Sequence, residues 1–471
     1  MNSDRLTSVT ASELVGLIAG GDVSPVEVVE AYLERIDRYN AKLNAFITVT
    51  RDQAIRAARD AEQAVARGDG LGPLHGLPLA VKDQFETKDV LTTAGSRVLS
   101  DYVPDHDATV IARARDAGAI LIGKLNMTQF AAGGGDHYPY GEARNPWDPE
   151  HTPGLSSSGS GIAIASSLCA ITLGEDTGGS VRMPASCNGI VGLRPTWGLV
   201  SRYGMLPFSW SYDTAGPMTR TVEDTALVMN AIVGHDANDA LTSRRPVPDY
   251  TRMLNGDLKG VRIGLLQELT DPSATNDEVL HSVQDATRQM EGLGATVQEV
   301  SLPILAHMGA AVAVVAESDG AYVHRKWIGT QPNDYGHNTR RRLLAGSLIP
   351  GHVLQKAMRI REVMRRDWLG LFERFDVLVS PTMPGTPGKI EYVEGVATRE
   401  EADRRFGHAR STTFPAALAG TPALSLPCGF ASTGLPIGLQ LMGDRFQDGL
   451  VLKVGYAYQQ STDWHLKRPT L

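Results

Sequence analysis

Short runs of consecutive apolar residues alternate with helix-like stretches along most of this 471-residue chain. The apolar runs cover residues 79–81, 119–122, 261–266, 377–379 and 437–441. Because apolar residues predominate in them rather than alternating with polar ones, they predict strands covered on both faces. Helical spacing occurs at residues 108–116, 277–290, 356–372 and 449–459. This order predicts an α/β fold with a mixed central β-sheet flanked by helices on both faces.

Two helix starts near the N-terminus are marked by residues that cap a first turn. Thr10 is followed three residues later by Glu13, and Ser24 is followed by Pro25 and Glu27. Both patterns are typical of capping boxes. The second start precedes apolar residues at helical spacing: Val28, Val29, Tyr32, Leu33 and Ile36. This spacing predicts a helix that packs one face onto a larger body.

The composition favours one globular domain. Hydrophobic residues make up 42% of the chain and charged residues 21%, which is enough apolar material for a large core. No linker-like segment interrupts the chain. We therefore expect a single domain over residues 1–471, with N-terminal helices at about 1–70 packed on it.

The charge and the cysteines argue against several classes of function. A net charge of -8 opposes a nucleic-acid-binding surface, and the run Arg340-Arg341-Arg342 would spread over different faces of a helix. Cys169, Cys187 and Cys428 have no paired spacing, which predicts buried thiols rather than disulfides or a zinc site. We see no leader-like start and no membrane-spanning segment, so we expect a cytoplasmic protein without a membrane partner.

A tract rich in serine and glycine gives the strongest indication of chemistry. It begins as Leu155-Ser156-Ser157-Ser158-Gly159-Ser160-Gly161 and is followed by Gly174-Glu175-Asp176-Thr177-Gly178-Gly179-Ser180-Val181-Arg182-Met183-Pro184-Ala185. Glycines let a backbone approach a reacting carbonyl, and serines serve as nucleophile or proton relay. Such a tract alone is more often a linker, so its interpretation requires a base.

Lys82 is the candidate base. It ends the apolar stretch Leu77-Pro78-Leu79-Ala80-Val81. Burial at the end of a strand disfavours the ammonium form and lowers the pKa of a lysine from about 10.4 towards neutrality, where the amine can take a proton. Other kinds of catalytic site have less support, since the chain contains no phosphate-binding GxxxxGK[ST] loop and no H-E-x-x-H metal motif.

These motifs, in this order, resemble the amidase signature family of serine hydrolases. The segments carrying the resemblance beyond the tract are Val81-Lys82-Asp83, Val191-Gly192-Leu193-Arg194-Pro195-Thr196, Ser201-Arg202-Tyr203-Gly204, Asp376-Val377-Leu378-Val379-Ser380-Pro381-Thr382, Gly420-Thr421-Pro422-Ala423-Leu424-Ser425-Leu426-Pro427 and Gly434-Leu435-Pro436-Ile437-Gly438-Leu439-Gln440. The resemblance covers most of the chain, with a signature core at about residues 75–220. Within the family, the chain looks most like the glutamine-amidotransferase A subunits.

The resemblance implies a role for each of three side chains. Ser180 would attack the carbonyl and form an acyl-enzyme, Ser156 would relay the proton, and Lys82 would be the final base. It also implies a cis peptide bond before Ser156, here Leu155–Ser156. The family usually has glycine at the position of Leu155, so this side chain is a candidate substrate contact. No cofactor and no metal are implied.

The loop before Ser180 is the candidate oxyanion hole. The backbone N–H groups of Thr177, Gly178, Gly179 and Ser180 can converge on a developing alkoxide, because successive glycines allow conformations that a Cβ obstructs. By resemblance, Asp176 and Arg182 form a buried pair that fixes this loop without direct chemistry. A lone charge there would be costly.

Two further regions bear on the substrate. Gly133, Gly134 and Gly135 would lie beside the scissile carbonyl and contact the substrate through their backbone. Relatives that use glutamine hold its charged groups with an arginine, matched here by Arg361, and with an acidic residue, whose position is occupied by Arg410. An arginine cannot pair with the ammonium group of glutamine, which disfavours glutamine as the substrate. Arg410 is either a substrate contact that meets a carboxylate or a surface charge.

Two functions remain open. The first is a stand-alone amidohydrolase acting on linear amides, including aryl amides, hydrazides and carbamates, the last as a urethanase or esterase side activity. The alternative is a glutaminase-type subunit of a tRNA-dependent amidotransferase. For the first, the expected partner is a small amide or carbamate substrate, and the protein would be a monomer or homodimer.

Overall fold

A computed structural model of the chain describes residues 1–132, 138–390 and 412–471. Within these ranges, the chain forms a single α/β domain around an 11-stranded sheet. The sheet is mixed, with parallel pairs near both ends and antiparallel pairs between them. The predicted fold class is therefore confirmed.

The strands take the order β1-β3-β2-β4-β6-β5-β10-β11-β9-β7-β8 across the sheet. Their bounds are β1 Phe46–Val49, β2 Pro78–Lys82, β3 Ile120–Leu125, β4 Ile171–Asp176, β5 Val191–Arg194, β6 Thr214–Thr219, β7 Arg262–Leu266, β8 Thr296–Val300, β9 Val377–Pro381, β10 Ala423–Phe430 and β11 Pro436–Gly443. Every residue of β2, β3, β4, β6 and β11 is buried. Because side chains alternate between the faces of a strand, both faces of this part of the sheet are covered.

Fourteen α-helices surround the sheet in the described part of the chain. Their bounds are α1 Ser3–Leu6, α2 Ala11–Ala19, α3 Pro25–Leu43, α4 Arg51–Arg67, α5 Thr109–Asp116, α6 Ser158–Ala165, α7 Arg182–Asn188, α8 Val222–Ile232, α9 Asp277–Gly292, α10 Met308–Thr330, α11 His337–Ser347, α12 Gly351–Gly370, α13 Phe414–Ala419 and α14 Asp448–Gln460. Both predicted capping boxes are present, at the starts of α2 and α3. The predicted apolar face of α3 is buried.

The centre of the sheet sets the position of the serine-rich tract. Strand β4 lies between β2, to which it is parallel, and β6, to which it is antiparallel. Parallel strands end at the same edge of a sheet, so the last residues of β2 and β4, Lys82 and Asp176, lie close together. Helix α6 follows Ser156 closely, and α7 begins two residues after Ser180. The two halves of the tract therefore meet at this edge.

One segment departs from the expectation that no part of the chain is long and apolar enough to cross a bilayer. The segment Pro303–Thr330 meets that criterion by length and composition, because it contains an 18-residue window with a mean hydropathy of 1.2. However, 44% of this window is buried inside the protein, and α10 packs against α11 and α12. Its buried residues recur at helical spacing: Met308, Ala311, Val312, Val315, Ala316, Gly320, Ala321 and His324. This pattern describes an amphipathic core helix.

Leu173, at the centre of β4, is fully buried, and we expect Leu173→Ala to lower the free energy of unfolding by about 3 kcal/mol because it leaves a cavity in the core. Leu348 is 80% exposed, so the same change there should alter stability by less than about 0.5 kcal/mol. Urea unfolding followed by circular dichroism measures both. Equal effects would contradict the position of β4 in the core.

Candidate active site

Lys82 and Ser156 meet at the sheet edge. Lys82 Nζ lies 2.7 Å from Ser156 Oγ, and the side chain of Lys82 is fully buried. Ser156 is 1% exposed and follows the Leu155–Ser156 peptide bond, which is cis as the resemblance implied. Lys82 Nζ also lies 2.8 Å from Glu175 Oε2 and 3.4 Å from the Glu175 carbonyl oxygen. The amine therefore has three oxygen neighbours.

The environment of Lys82 affects its proton affinity in two opposite ways. Burial lowers the pKa of the Lys82 ammonium, and the Glu175 carboxylate raises it, with smaller contributions from Asp213 and Asp176. Burial dominates, so the net shift is downward, in the direction that the sequence predicted. The Lys82 side chain is fully buried, so the opposing effects of burial and of the nearby carboxylates set how readily its amine takes a proton.

Ser180 lies at the end of the loop after β4 and is half-buried, unlike the fully buried Ser156. Its carbonyl oxygen accepts a hydrogen bond from the Ser157 N–H at 3.3 Å, which joins the two halves of the tract. The structure records no hydrogen bond between the Ser156 and Ser180 hydroxyls. Ser180 is thus the more accessible of the two predicted catalytic serines.

Two glycines shape the loop that leads to Ser180. A Cβ on Gly178 would lie 2.7 Å from the ring of Phe414, and a Cβ on Gly179 would lie 2.6 Å from Thr413 Oγ1. Gly179 also has a φ of +124°, which side chains rarely adopt. Space and backbone conformation therefore both require glycine at position 179.

The hydrogen bonds of this loop narrow the predicted oxyanion hole. The N–H of Gly179 donates to Asp176 Oδ1 at 2.8 Å, so it is engaged inside the protein and is not free to bind an alkoxide in this conformation. The N–H groups of Thr177, Gly178 and Ser180 have no recorded acceptor among the residues that the structure describes. The prediction therefore narrows to these three donors.

Asp176 and Arg182 form the predicted buried pair, and Arg194 joins them. Arg182 donates to both carboxylate oxygens of Asp176, at 2.9 and 3.0 Å, and Arg194 Nη1 lies 3.0 Å from Asp176 Oδ1. Burial favours the neutral form of Asp176, but the two guanidinium groups outweigh this and hold its pKa well below the usual range. The carboxylate is thus charged and fixes the loop through Gly179 and Val181.

Two carboxylic acids in this site, Glu175 and Asp213, had no role predicted from the sequence. Glu175 contacts Lys82, while the Thr177 hydroxyl lies 2.6 Å from Glu175 Oε1 and 2.7 Å from Asp213 Oδ1. Glu175 lies within the serine- and glycine-rich tract, five residues before Ser180, and a charged residue in a buried strand was the available signal. No local signal marks Asp213, because its position depends on the pairing of β4 with β6.

Several predicted substrate contacts lie outside the described residues: Gly133, Gly134, Gly135 and Arg410. Leu155 is described and half-buried, next to Ser156. Arg361 donates to the backbone carbonyls of Ser211 and Leu418, at 3.2 and 3.3 Å. Substrate contact by any of these residues stays a prediction.

The residues that the structure describes include no group of three or more His, Cys, Asp or Glu side chains suited to a metal ion. Cys169, Cys187 and Cys428 are free and buried, as predicted. The arrangement at the sheet edge supplies a buried amine, two hydroxyls and free backbone donors, which are the groups that acyl transfer to a serine requires.

Comparison with known families agrees with this geometry. The family model described as Amidase matches residues 27–452. The chain belongs to the amidase family. The A subunit of a glutamyl-tRNA(Gln) amidotransferase from Thermosynechococcus vestitus is 40% identical, over 95% of this chain and 97% of its own length. The corresponding protein from Moorella thermoacetica is 39% identical over 99% of each chain.

The solved structures that are similar to this chain include an amidotransferase A subunit and a peptide amidase. The A subunit of the glutamyl-tRNA(Gln) amidotransferase from Thermotoga maritima matches with a TM-score of 0.81 and 32% identity, over 97% of this chain and 95% of that one. The peptide amidase from Stenotrophomonas maltophilia matches with a TM-score of 0.83 and 31% identity, over 98% of each chain. A chain from a vestigial protein complex related to an s-triazine catabolic enzyme matches with a TM-score of 0.90 and 33% identity, over 98% and 100%.

Asp176→Asn should lower the free energy of unfolding by about 3–5 kcal/mol, because it leaves Arg182 and Arg194 buried without a counter-charge. The matched control is Asp37→Asn, which removes an exposed partner of Arg51 and should cost less than about 1 kcal/mol. Urea unfolding measures both variants. A stability of Asp176→Asn within the range of the control would contradict the role of Asp176 as the counter-charge of this loop.

Proposed function

We propose that this amidase-family protein hydrolyses a carbonyl–nitrogen bond through an acyl-enzyme on Ser180, with Ser156 as proton relay and Lys82 as base. The observation that carries the proposal is the 2.7 Å contact between the buried Lys82 Nζ and Ser156 Oγ. A desolvated amine next to a hydroxyl can take the proton of that hydroxyl. The adjoining loop carries the second, more accessible hydroxyl.

In the first half of the proposed reaction, Ser180 Oγ attacks the carbonyl carbon. Its proton passes to Ser156 Oγ while the proton of Ser156 moves to Lys82 Nζ. The carbonyl becomes an alkoxide, for which the N–H groups of Thr177, Gly178 and Ser180 are the candidate donors. Losing one such donor typically slows an acyl transfer by about 10²–10³-fold.

The second half returns the proton. The Lys82 ammonium, through Ser156, protonates the leaving nitrogen as the carbon–nitrogen bond breaks, and the acyl group remains on Ser180. Water then attacks the acyl-enzyme with the same base, and the acid is released. Each cycle consumes one water and leaves Lys82 in its starting form.

The substrate class has two candidates, and the relatives favour glutamine hydrolysis by a subunit of a tRNA-dependent amidotransferase. Amidotransferase A subunits are up to 40% identical over nearly the whole chain among the relatives given above. This supports a subunit that hydrolyses glutamine and supplies ammonia to a partner in tRNA-dependent amidation. In this role the protein acts within a complex, and not as a monomer or homodimer.

A stand-alone amidohydrolase is the second candidate, because Arg410 occupies the position of the acidic residue that would pair with the glutamine ammonium group. Arg361, the matched arginine, also donates to protein carbonyls. The similarity to a peptide amidase is in keeping with activity without a partner. Aryl amides, hydrazides and carbamates present a carbonyl to the same serine, and remain candidate substrates of this form.

Ser180→Ala and Lys82→Ala should each lower turnover by at least about 10⁴-fold, because each removes a group that the chemical step requires. Ser180→Ala should keep the melting temperature, whereas Lys82→Ala should lower it, because Glu175 loses its partner. The matched control is Ser160→Ala, a buried serine of the same tract whose hydroxyl has no recorded partner among the described residues. Turnover near the wild-type level in Ser180→Ala would refute the proposal, and chelators should have no effect.

A substrate panel on the isolated chain separates the two candidates. We expect a stand-alone enzyme to hydrolyse anilides, hydrazides or aryl carbamates without a partner, and an amidotransferase subunit to release ammonia from glutamine only when partner subunits are added. Arg410→Asp is the matched variant, because it restores the acidic group that an ammonium requires. Ammonia release from glutamine by the wild-type chain with partners, but not without them, would reject the stand-alone form.

A further inference from the structure

Three side chains form a continuous hydrogen-bonded chain behind Lys82. Thr177 Oγ1 lies 2.6 Å from Glu175 Oε1 and 2.7 Å from Asp213 Oδ1, while Glu175 Oε2 accepts a hydrogen bond from Lys82. Glu175 is fully buried, Asp213 is 1% exposed and Thr177 is 8% exposed. We call these three residues the carboxyl bridge. It has almost no access to solvent.

Strand pairing explains why these residues meet. Strands β4 and β6 are antiparallel, with Asp176 opposite Thr214. Continuing this register by one residue sets Thr177 opposite Asp213. Glu175 lies in β4 and Thr177 directly follows its end, and the contact between their side chains puts both on the same side of the sheet. The backbone therefore brings both carboxyl groups to one hydroxyl.

Counting hydrogens shows that the bridge contains an extra proton. A hydroxyl has one hydrogen and donates to one acceptor at a time. Both contacts of Thr177 Oγ1 have lengths typical of O–H···O hydrogen bonds. If both acids were ionised, one contact would bring two oxygens together with no hydrogen between them. One carboxyl group is therefore protonated and donates to Thr177, which donates to the other.

Asp213 is the carboxyl group that carries this proton. Burial, followed by the charge of Glu175, raises the pKa of Asp213 to about 8. Its second oxygen, Oδ2, accepts the N–H groups of Phe208 and Ser209, both at 2.8 Å, which leaves Oδ1 for Thr177. A protonated Asp213 thus donates to Thr177, and Thr177 donates to Glu175 Oε1.

Two arginines and one more carboxylate complete the charged groups near Lys82. Asp176 also faces Lys82, but its negative charge is more than offset by its two partners, Arg182 and Arg194. Arg194 further donates to the Tyr212 carbonyl at 2.7 Å, next to Asp213. The negative charge felt by Lys82 is therefore set mainly by Glu175 and by whether Asp213 holds its proton.

We propose that the carboxyl bridge retains one proton throughout the reaction, so that Lys82 faces one negative charge rather than two and stays a usable base. This inference rests on the proposed function, in which Lys82 receives the Ser180 proton. Two ionised carboxylates would hold the lysine as an ammonium ion, whereas one can stabilise the ammonium formed during the reaction. Glu175, Thr177 and Asp213 act through Lys82 and are positioning residues.

Labelling by a biotinylated alkyl fluorophosphonate tests the bridge without knowledge of the substrate. Ser180 Oγ bonds to phosphorus, the phosphorus–fluorine bond breaks, fluoride leaves, and the serine proton passes through Ser156 to Lys82. The rate of labelling therefore follows the fraction of Lys82 in the uncharged form. It rises with pH as the ammonium loses its proton. Mass spectrometry of the Ser180 peptide gives the rate from pH 5 to pH 10.

Two variants should change this profile in different ways. Glu175→Gln removes the negative partner of Lys82, lowers the pKa of the ammonium and should move the rising limb down by at least about one pH unit, a tenfold faster labelling on that limb. Asp213→Asn keeps an N–H donor towards Thr177 but cannot ionise. In the wild type, the labelling rate rises over the two coupled ionisations of Lys82 and Asp213. In Asp213→Asn only that of Lys82 remains, so the rise should span a narrower range of pH.

The control is Thr172→Val, which removes a buried hydroxyl from the same strand, β4, where it bonds the Met218 carbonyl away from Lys82. Its profile should match the wild type. If Glu175→Gln does not fold, as judged by circular dichroism, the Asp213→Asn profile decides. Wild-type profiles in Glu175→Gln and Asp213→Asn would overturn the bridge and leave the proposed function intact. Wild-type labelling that misses Ser180, or that persists in Lys82→Ala, would overturn the proposed function itself.

Discussion

The parallel pairing of β2 with β4 is the contact on which the rest of the site depends. It brings the last residue of β2, Lys82, alongside the end of β4, whose following loop leads to Ser180. The strands are buried on both faces, so the lysine side chain is shielded from solvent at this point. The sheet thus supplies both the position of the amine and the loss of hydration that alters its proton affinity.

Burial at this edge requires charge balance, and the protein achieves it in two adjacent clusters. Asp176 is neutralised by Arg182 and Arg194, and this cluster fixes the backbone of the loop. Lys82 is balanced by Glu175, which Thr177 connects to Asp213. The first cluster uses arginines, which stay charged, and so suits a structural task. The second uses an amine and carboxyl groups, which can gain or lose a proton, and so suits the proton transfer proposed for Lys82.

Much of the fold follows from local sequence. The capping residues Thr10 and Ser24 and the mainly apolar strand runs predict elements correctly because each depends on a few neighbouring residues. The contact of Lys82 with Ser156 was anticipated through family resemblance, since the two are 74 positions apart. Asp213 and Arg194 enter the site through strand pairing, which single-sequence patterns do not reveal. The engagement of the Gly179 N–H likewise depends on the position of the Asp176 side chain.

The segment that begins at Thr412 has a consequence for how the site is made. Thr413 donates to the Gly178 carbonyl and accepts a hydrogen bond from Arg182, while Gln440 links Arg182 to the Thr412 carbonyl. The loop before Ser180 is therefore supported by residues more than 230 positions later in the chain. A growing polypeptide contains Ser180, Ser156 and Lys82 long before it contains the segment that supports this loop. During synthesis, the contacts that hold this loop are therefore completed only at a late stage.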